Sequence, residues 1–302
     1  MAWTAPRLRM WMRVSAGAVL CALLLGAASP SPIKVLNTLS AESSVRKLDA
    51  VAYAEGTRQK ADVYLPEHPG HAPVIVFLYG GNWVSGQRFN YAFVGYALAK
   101  RGFITVIPDY RLYPEVSYPT FLEDPASAVA WTIKNAAHYG GDPQRVFVMG
   151  HSAGAYDAAM LAMDKQWLGA HGLTPAALRG WIGLAGPYNF LPIQYASTQK
   201  VFHSAEPPPE SQPVEHVSAG SPPALLIAAR QDELVAADRN TGELARRLRA
   251  AGVPVREKYL DHVNHYTIMA AVGRPLQWLA PVTDDVAEFV AHPPAADPAT
   301  RE

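Results

Sequence analysis

Cysteine is almost missing from this 302-residue chain: the single one, Cys21, lies in the N-terminal segment. After that segment no disulfide, thiol nucleophile or thiolate metal site can form. An excess of charge of either sign is missing too, with 26 basic against 26 acidic residues. Nucleic acid needs a basic face that neutralises several phosphates, so it is not an expected partner. There is no internal repeat. Nor is there a run of apolar residues as long as the roughly 20 that cross a bilayer. The most apolar stretch, "VSAGAVLCALLLGAA" (Val14–Ala28), follows Arg7, Arg9 and Arg13 and ends in small residues. A positive flank, a short apolar stretch and small residues compose a secretory signal peptide over 1–28, with an uncleaved membrane anchor as the alternative. Export, periplasmic or secreted, is therefore the expected location.

What is present is enough apolar material, 49% of residues, for a sizeable core. Three short runs read as buried strands of a parallel sheet: "PVIVFLYG" (73–80), "FITVIPDY" (103–110) and "RVFVMG" (145–150). "WIGLAG" (181–186), "PALLIAA" (223–229) and "VPVREKYL" (253–260) continue the series. Helical patterns fall between them at 90–101, 125–139, 152–164 and 239–251. Strands alternating with helices define an α/β fold with a mostly parallel sheet, here as one domain over 29–302. "VRKLDAVAYA" (45–54) and "RQKADVYLP" (58–66) flank "EGT" and read as an antiparallel hairpin leading in. Residues 187–222, rich in Pro and Ser, break the rhythm and read as a cap inserted over the sheet. The stretch 292–302 reads as a flexible tail.

The chemistry starts at "VMGHSAG" (148–154). Gly-x-Ser-x-Gly is a weak pattern alone, but here it directly follows a strand and opens a helix. In that setting Ser152 sits on a sharp turn, its oxygen held above the strand end. The N–H of Ala153 and the positive helix N-terminus then face a developing oxyanion. A serine hydroxyl needs a base, and the base an orienting acid. Asp232 directly follows the strand at 223–229, and His265 lies five residues beyond the strand ending at Leu260. Both are strand-end loops on the edge of the sheet that carries Ser152. Glu233 and Asp238 are the competing acids, Asp238 sitting where an acid more often caps a helix. His262 is the competing base. His151 lines the elbow and borders a substrate pocket, its side chain leaving the turn in a different direction from that of Ser152. "LYGGNWVSG" (78–86), with adjacent glycines at 80 and 81, can bring further backbone N–H groups toward the same point.

With these residues in view, the chain resembles the α/β-hydrolases of the esterase and lipase group. It is similar in particular to small carboxylesterases with a His-Gly-Gly-x-Trp loop, a group that includes arylformamidase-like enzymes. The segments that carry the resemblance are "DVYLP" (62–66), "YGGNW" (79–83), "PDYRLYPE" (108–115), "YGGDPQRVFVMGHSAG" (139–154) and "SPPALLIAARQDELV" (221–235). It implies Ser152 as nucleophile, Asp232 as acid and His265 as base, with oxyanion donors at Gly81, Asn82 and Ala153. It also implies a small-molecule ester substrate and no cofactor or metal; residues 187–222, short and Pro-rich for a lid over a long apolar groove, point to short acyl chains. A formamide substrate is the alternative, and a non-catalytic binding protein on the same scaffold the remote one. Trp83 either lines the substrate pocket or packs in the core. Asp109, Tyr110 and Arg111 brace the sheet edge. One departure matters: Tyr79 stands where the family pattern has His, so the support of the glycine loop must be built differently.

Overall fold

The computed structural model describes residues 31–294, so the expected targeting segment lies outside the described residues. Eight strands form one sheet: β1 (Arg46–Ala52), β2 (Lys60–Leu65), β3 (Ala72–Leu78), β4 (Ile104–Pro108), β5 (Gly141–His151), β6 (Gly180–Leu184), β7 (Ala224–Ala229) and β8 (Val255–Leu260). Their order is β1-β2-β4-β3-β5-β6-β7-β8, with β2 antiparallel to both neighbours and β3 to β8 parallel. The expected α/β class, lead-in hairpin and six later strands are all found.

The central strands are buried on both faces, which is why they read as continuous apolar runs. Alternate residues serve different layers. Val74, Val76 and Leu78 pack on one side, against α3 (Glu123–Asn135), α4 (Ala153–Met163) and α7 (Glu243–Ala250). Ile75, Phe77 and Tyr79 pack on the other, against α1 (Pro32–Ser40), α2 (Ala92–Lys100) and α9 (Val282–Ala291). The edge strands β1 and β8 carry Arg46, Lys47 and Asp49, and Arg256, Glu257 and Lys258, charges that discourage pairing with another chain.

Three departures from the sequence expectation have local causes. α9 follows the last strand, outside the strand–helix alternation that marked the other helices, and its Val282, Val286, Phe289 and Val290 form one apolar stripe that closes the second layer. α1 covers the same layer. The helix expected at 239–251 opens with a π turn, Asp238–Gly242, before α7 begins. Asp238 makes no cap hydrogen bond there, contrary to its expected role.

The 187–222 segment contains α6 (Ala196–Phe202) and two 3₁₀ turns, Pro209–Ser211 and Pro213–His216. The short helices α5 (Lys165–Gly169) and α8 (Thr267–Ala270) complete the set. Buried polar groups pin the segment. Asn240 Oδ1 accepts from the N–H of Tyr188 (2.8 Å) and Asn189 (2.9 Å), and Gln212 Oε1 from the N–H of Phe190 (2.8 Å). The Tyr156 hydroxyl donates to the Ser211 carbonyl at 2.8 Å, tying the segment to α4. No described helix is long and apolar enough to cross a membrane.

Candidate active site

Ser152 is the hinge between β5 and α4. Its backbone has φ 54° and ψ −121°, a region that costs a non-glycine residue about 1–3 kcal/mol. Surrounding bonds hold it there. Its N–H donates to the Leu184 carbonyl (2.9 Å), and its own carbonyl accepts from Ala155 (2.9 Å) and Tyr156 (3.1 Å). The glycines of the motif exist for close approach: a Cβ on Gly150 would strike the Gly154 carbonyl, and one on Gly154 the Leu78 carbonyl of β3.

Three side chains meet at the sheet edge. The Ser152 Oγ lies 2.8 Å from His265 Nε2, and His265 Nδ1 lies 2.7 Å from Asp232 Oδ2. An ionised carboxylate only accepts, so Nδ1 carries the proton and Nε2 is free to take the one from Ser152. The Asp232 side chain is 1% exposed. Burial pushes its carboxyl up, but the hydrogen bonds from His265, Val235 and Leu234 outweigh that and leave it below the ordinary carboxylate value. Its other oxygen accepts from the N–H of Leu234 and Val235, both at 2.9 Å, which fixes the carboxylate plane. The competing candidates Glu233, Asp238 and His262 are all exposed.

His151 has a defined role. Its Nε2–H donates to the His265 carbonyl at 2.8 Å, so it braces the loop of the base instead of lining a pocket as expected. With that tautomer Nδ1 is bare, and it has no partner among the described residues. Burial, with His265 beside it, pushes the imidazole down to about 3. The ordinary value is 6.5, so below it the unfolded chain binds a proton that the folded ring refuses until about 3. Stability therefore falls as pH drops through that window, by up to about 1.4 kcal/mol per pH unit. His151→Gln keeps a donor and removes the titration. Urea midpoints between pH 7 and pH 4.5 are expected to fall less steeply for H151Q than for the parent; identical slopes would rule this out.

The glycine loop sits on the nucleophile. A Cβ on Gly80 would lie 3.0 Å from Ser152 Cβ, so the N–H groups of Gly81 and Asn82 follow immediately beside it. Those two, and that of Ala153, donate to no acceptor among the described residues. Gly81 has φ 137°, a region side chains avoid, and Asn82 (56°) and Trp83 (58°) also have positive φ. Such a loop must be held from outside. The Asn82 amide donates to Ser197 Oγ (2.9 Å) and accepts from Thr198 Oγ1 (2.7 Å), joining the loop to α6. The Trp83 carbonyl accepts from the N–H of Tyr113 at 2.8 Å.

Of the two roles open for Trp83, the structure gives packing. It is 2% exposed, stacks on Phe121 at 5.2 Å, and donates Nε1–H to Asp157 Oδ1 at 2.9 Å. Asp157 is fully enclosed in α4, and burial pushes its carboxyl well above the usual range. The lone acid inside "AGAYDAAMLAM" is the sequence signal of this specific buried bond.

Tyr79 replaces histidine support with stacking and a charge network. Its ring lies between Tyr110 (4.6 Å, 20°) and Tyr91 (5.3 Å, 7°). Its hydroxyl donates to Asp109 Oδ1 (3.0 Å) and accepts from Arg58 Nη2 (2.9 Å). Arg58 also donates to the Gly86 carbonyl (2.9 Å) at the far end of the loop and to the Tyr110 carbonyl (2.8 Å). Asp109 accepts from the N–H and the guanidinium of Arg88, and Arg88 reaches Asp62 at 2.7 Å. Arg111 pairs with Asp124 (2.8 Å). Asp109, Tyr110 and Arg111 thus brace the sheet edge as expected. Nothing in the sequence marked Arg58, which arrives from the lead-in hairpin.

A parallel sheet with a strained serine between strand and helix, and with Asp and His on later strand ends, defines an α/β-hydrolase. Within that class the chain belongs to the BD-FAE family, whose model matches residues 61–248. It is similar to a probable isoprenylcysteine alpha-carbonyl methylesterase of Oryza sativa subsp. japonica, 36% identical over 148 residues, covering 47% of this chain and 35% of that protein. It is also similar to esterase LipC of Mycobacterium tuberculosis (strain ATCC 25618 / H37Rv), 28% identical over 226 residues, covering 66% of this chain and 54% of that protein. The chain thus spans between about a third and about half of the length of these relatives. Among solved structures, a truncated carbohydrate esterase from gut microbiota shares the fold, with a TM-score of 0.71 at 20% identity over 83% of this chain and 98% of that one.

Proposed function

We propose that this chain is a carboxylesterase-type serine hydrolase that cleaves small-molecule carboxylic esters through an acyl-enzyme on Ser152, using side chains and backbone N–H groups alone. The observation that carries the reading is the line of hydrogen bonds from buried Asp232 through His265 to Ser152, beside three N–H groups with no acceptor among the described residues. Ser152 Oγ bonds to the ester carbonyl carbon as His265 Nε2 takes its proton. The N–H groups of Gly81, Asn82 and Ala153 stabilise the oxyanion. On collapse the C–O bond to the alcohol breaks, and His265 returns the proton to the departing oxygen. Water, deprotonated by the same imidazole, then attacks the acyl carbon and frees Ser152.

A short acyl chain is part of the proposal. The cap is tied to the body at Tyr188 by Asn240 and at Ser211 by Tyr156, and Asn82 ties it to the glycine loop. Opening a channel for a long chain would break several of these at once. With the full chain purified, p-nitrophenyl acetate and butyrate are expected to be turned over at least about ten-fold faster than the decanoate or palmitate. They are also expected to outpace N-formylkynurenine. A profile that rises with chain length, or faster formamide cleavage, would overturn the substrate reading.

A further inference from the structure

Large apolar side chains scattered singly on a surface carry no message, but a group of them around one site does. Seven are exposed among the described residues, and four of these sit on the loops that build the site. Val84 follows Asn82 by two residues, Leu234 follows Asp232 by two, and Tyr266 follows His265 directly. Tyr195 precedes Ser197, the partner of Asn82, by two. Of the four, Tyr266 is the most exposed, at 70%, and it touches the chemistry. Its ring meets the His265 imidazole edge-on, with centroids 5.5 Å apart and planes at 87°.

The side of the site on which Tyr266 stands follows from the proton transfers. His265 Nε2 must give its proton to the alcohol oxygen, so that oxygen comes within hydrogen-bond reach of the imidazole. The ester carbonyl oxygen, by contrast, points to Gly81, Asn82 and Ala153. The alcohol portion therefore leaves the nucleophile along the wall formed by the loops of Asp232 and His265. On that wall, which also carries exposed Glu233 and His262, the exposed large apolar groups are Leu234, 41% exposed, and Tyr266. Neither is free to turn away as a unit. The N–H of Leu234 is bound to Asp232, and that of Tyr266 to Asn264 Oδ1 at 3.0 Å. An aromatic ring packed against His265, the residue that serves the leaving-group oxygen, suits a planar apolar group, because ring pairs gain from both buried area and quadrupole geometry.

Resting on the reading of Ser152 as nucleophile, we infer that Tyr266, together with Leu234 on the loop of Asp232, forms a subsite for a ring-bearing apolar alcohol group of the ester. Tyr266 is a specificity residue here, with no part in proton transfer. The natural substrates are then esters of a short acid with an aromatic or similarly bulky alcohol.

The test compares benzyl acetate with ethyl acetate, whose alkoxides have similar basicity, on the full chain and on Tyr266→Ala and Tyr266→Phe. The parent is expected to favour benzyl acetate in kcat/KM. Y266A is expected to lose about ten-fold on benzyl acetate, through KM, and clearly less on ethyl acetate; about 1.4 kcal/mol corresponds to that factor. Y266F is expected to match the parent, since the ring and not the hydroxyl is used. An equal loss on both esters would make Tyr266 a prop for His265 and overturn the inference, as would no loss on benzyl acetate. If the parent cleaves neither ester, the reading of Ser152 falls first and the subsite with it.

Discussion

Ser152→Ala is expected to lower turnover of p-nitrophenyl acetate by about 10⁴- to 10⁶-fold, with KM little changed. The reason is that nothing else nearby can replace the attacking oxygen. Asp232 is buried behind His265, and His151 is held neutral with its Nε2–H committed to the His265 carbonyl. The three free N–H groups stay in place, so a residual rate above that in water is expected from oxyanion binding alone. His265→Ala should fall as far, and the double variant no further, because the pair acts as one unit. Initial rates with enzyme concentrations high enough to read the residual activity would check this. A loss of less than about 100-fold in S152A would mean that the nucleophile is elsewhere.

The second large effect is expected far from the reacting atoms. Asp109 is 5% exposed and accepts from Arg88 and Tyr79, with Arg58 at 3.9 Å. Asp109→Ala would leave Arg58 without a carboxylate and Arg88 with Asp62 alone in a mostly buried position, a change worth about 3 kcal/mol. For a chain of this size that lowers the melting midpoint by on the order of 10 °C. Arg58 also holds the Gly86 carbonyl, so the glycine loop loosens as its anchor loses its counter-charge. Turnover in D109A is therefore expected to drop at temperatures where the protein is still folded. Tyr79→Phe keeps the stack between Tyr91 and Tyr110 and removes only the hydroxyl, and its loss should be much smaller. Thermal unfolding followed with activity in the same samples separates the two effects; D109A with the parent's midpoint would contradict the charge network.

Much of the fold was legible because its determinants are local in sequence. A strand buried on both faces must be apolar throughout, and β3, β4, β6, β7 and the buried half of β5 are short enough to be told from helices by length. The sharp turn at Ser152 was legible for a similar reason, since Gly150 and Gly154 mark places where backbones touch. Asp232 and His265 were legible by position, each just beyond a strand that ends on the same edge. What stayed hidden depends on partners distant in the chain. Arg58 gains its role by meeting Tyr79 and Gly86, 21 and 28 residues away, and Asn82 by meeting Thr198, 116 residues away. No local pattern announces such bonds. α9 was hidden differently, since it follows the last strand, with no later strand to mark the alternation, and the layer it closes is seen only in the fold. The role of Tyr79 could be asked from the sequence but answered only by the three-ring stack and the arginine that reaches it.

The most direct measurement is covalent. A fluorophosphonate incubated with the full folded chain should add one label per molecule, and peptide mapping should find it on Ser152. S152A should take none under the same conditions. Unlabelled folded protein, or a label carried by any residue other than Ser152, would contradict the assignment of the nucleophile and the acyl-enzyme chemistry built on it.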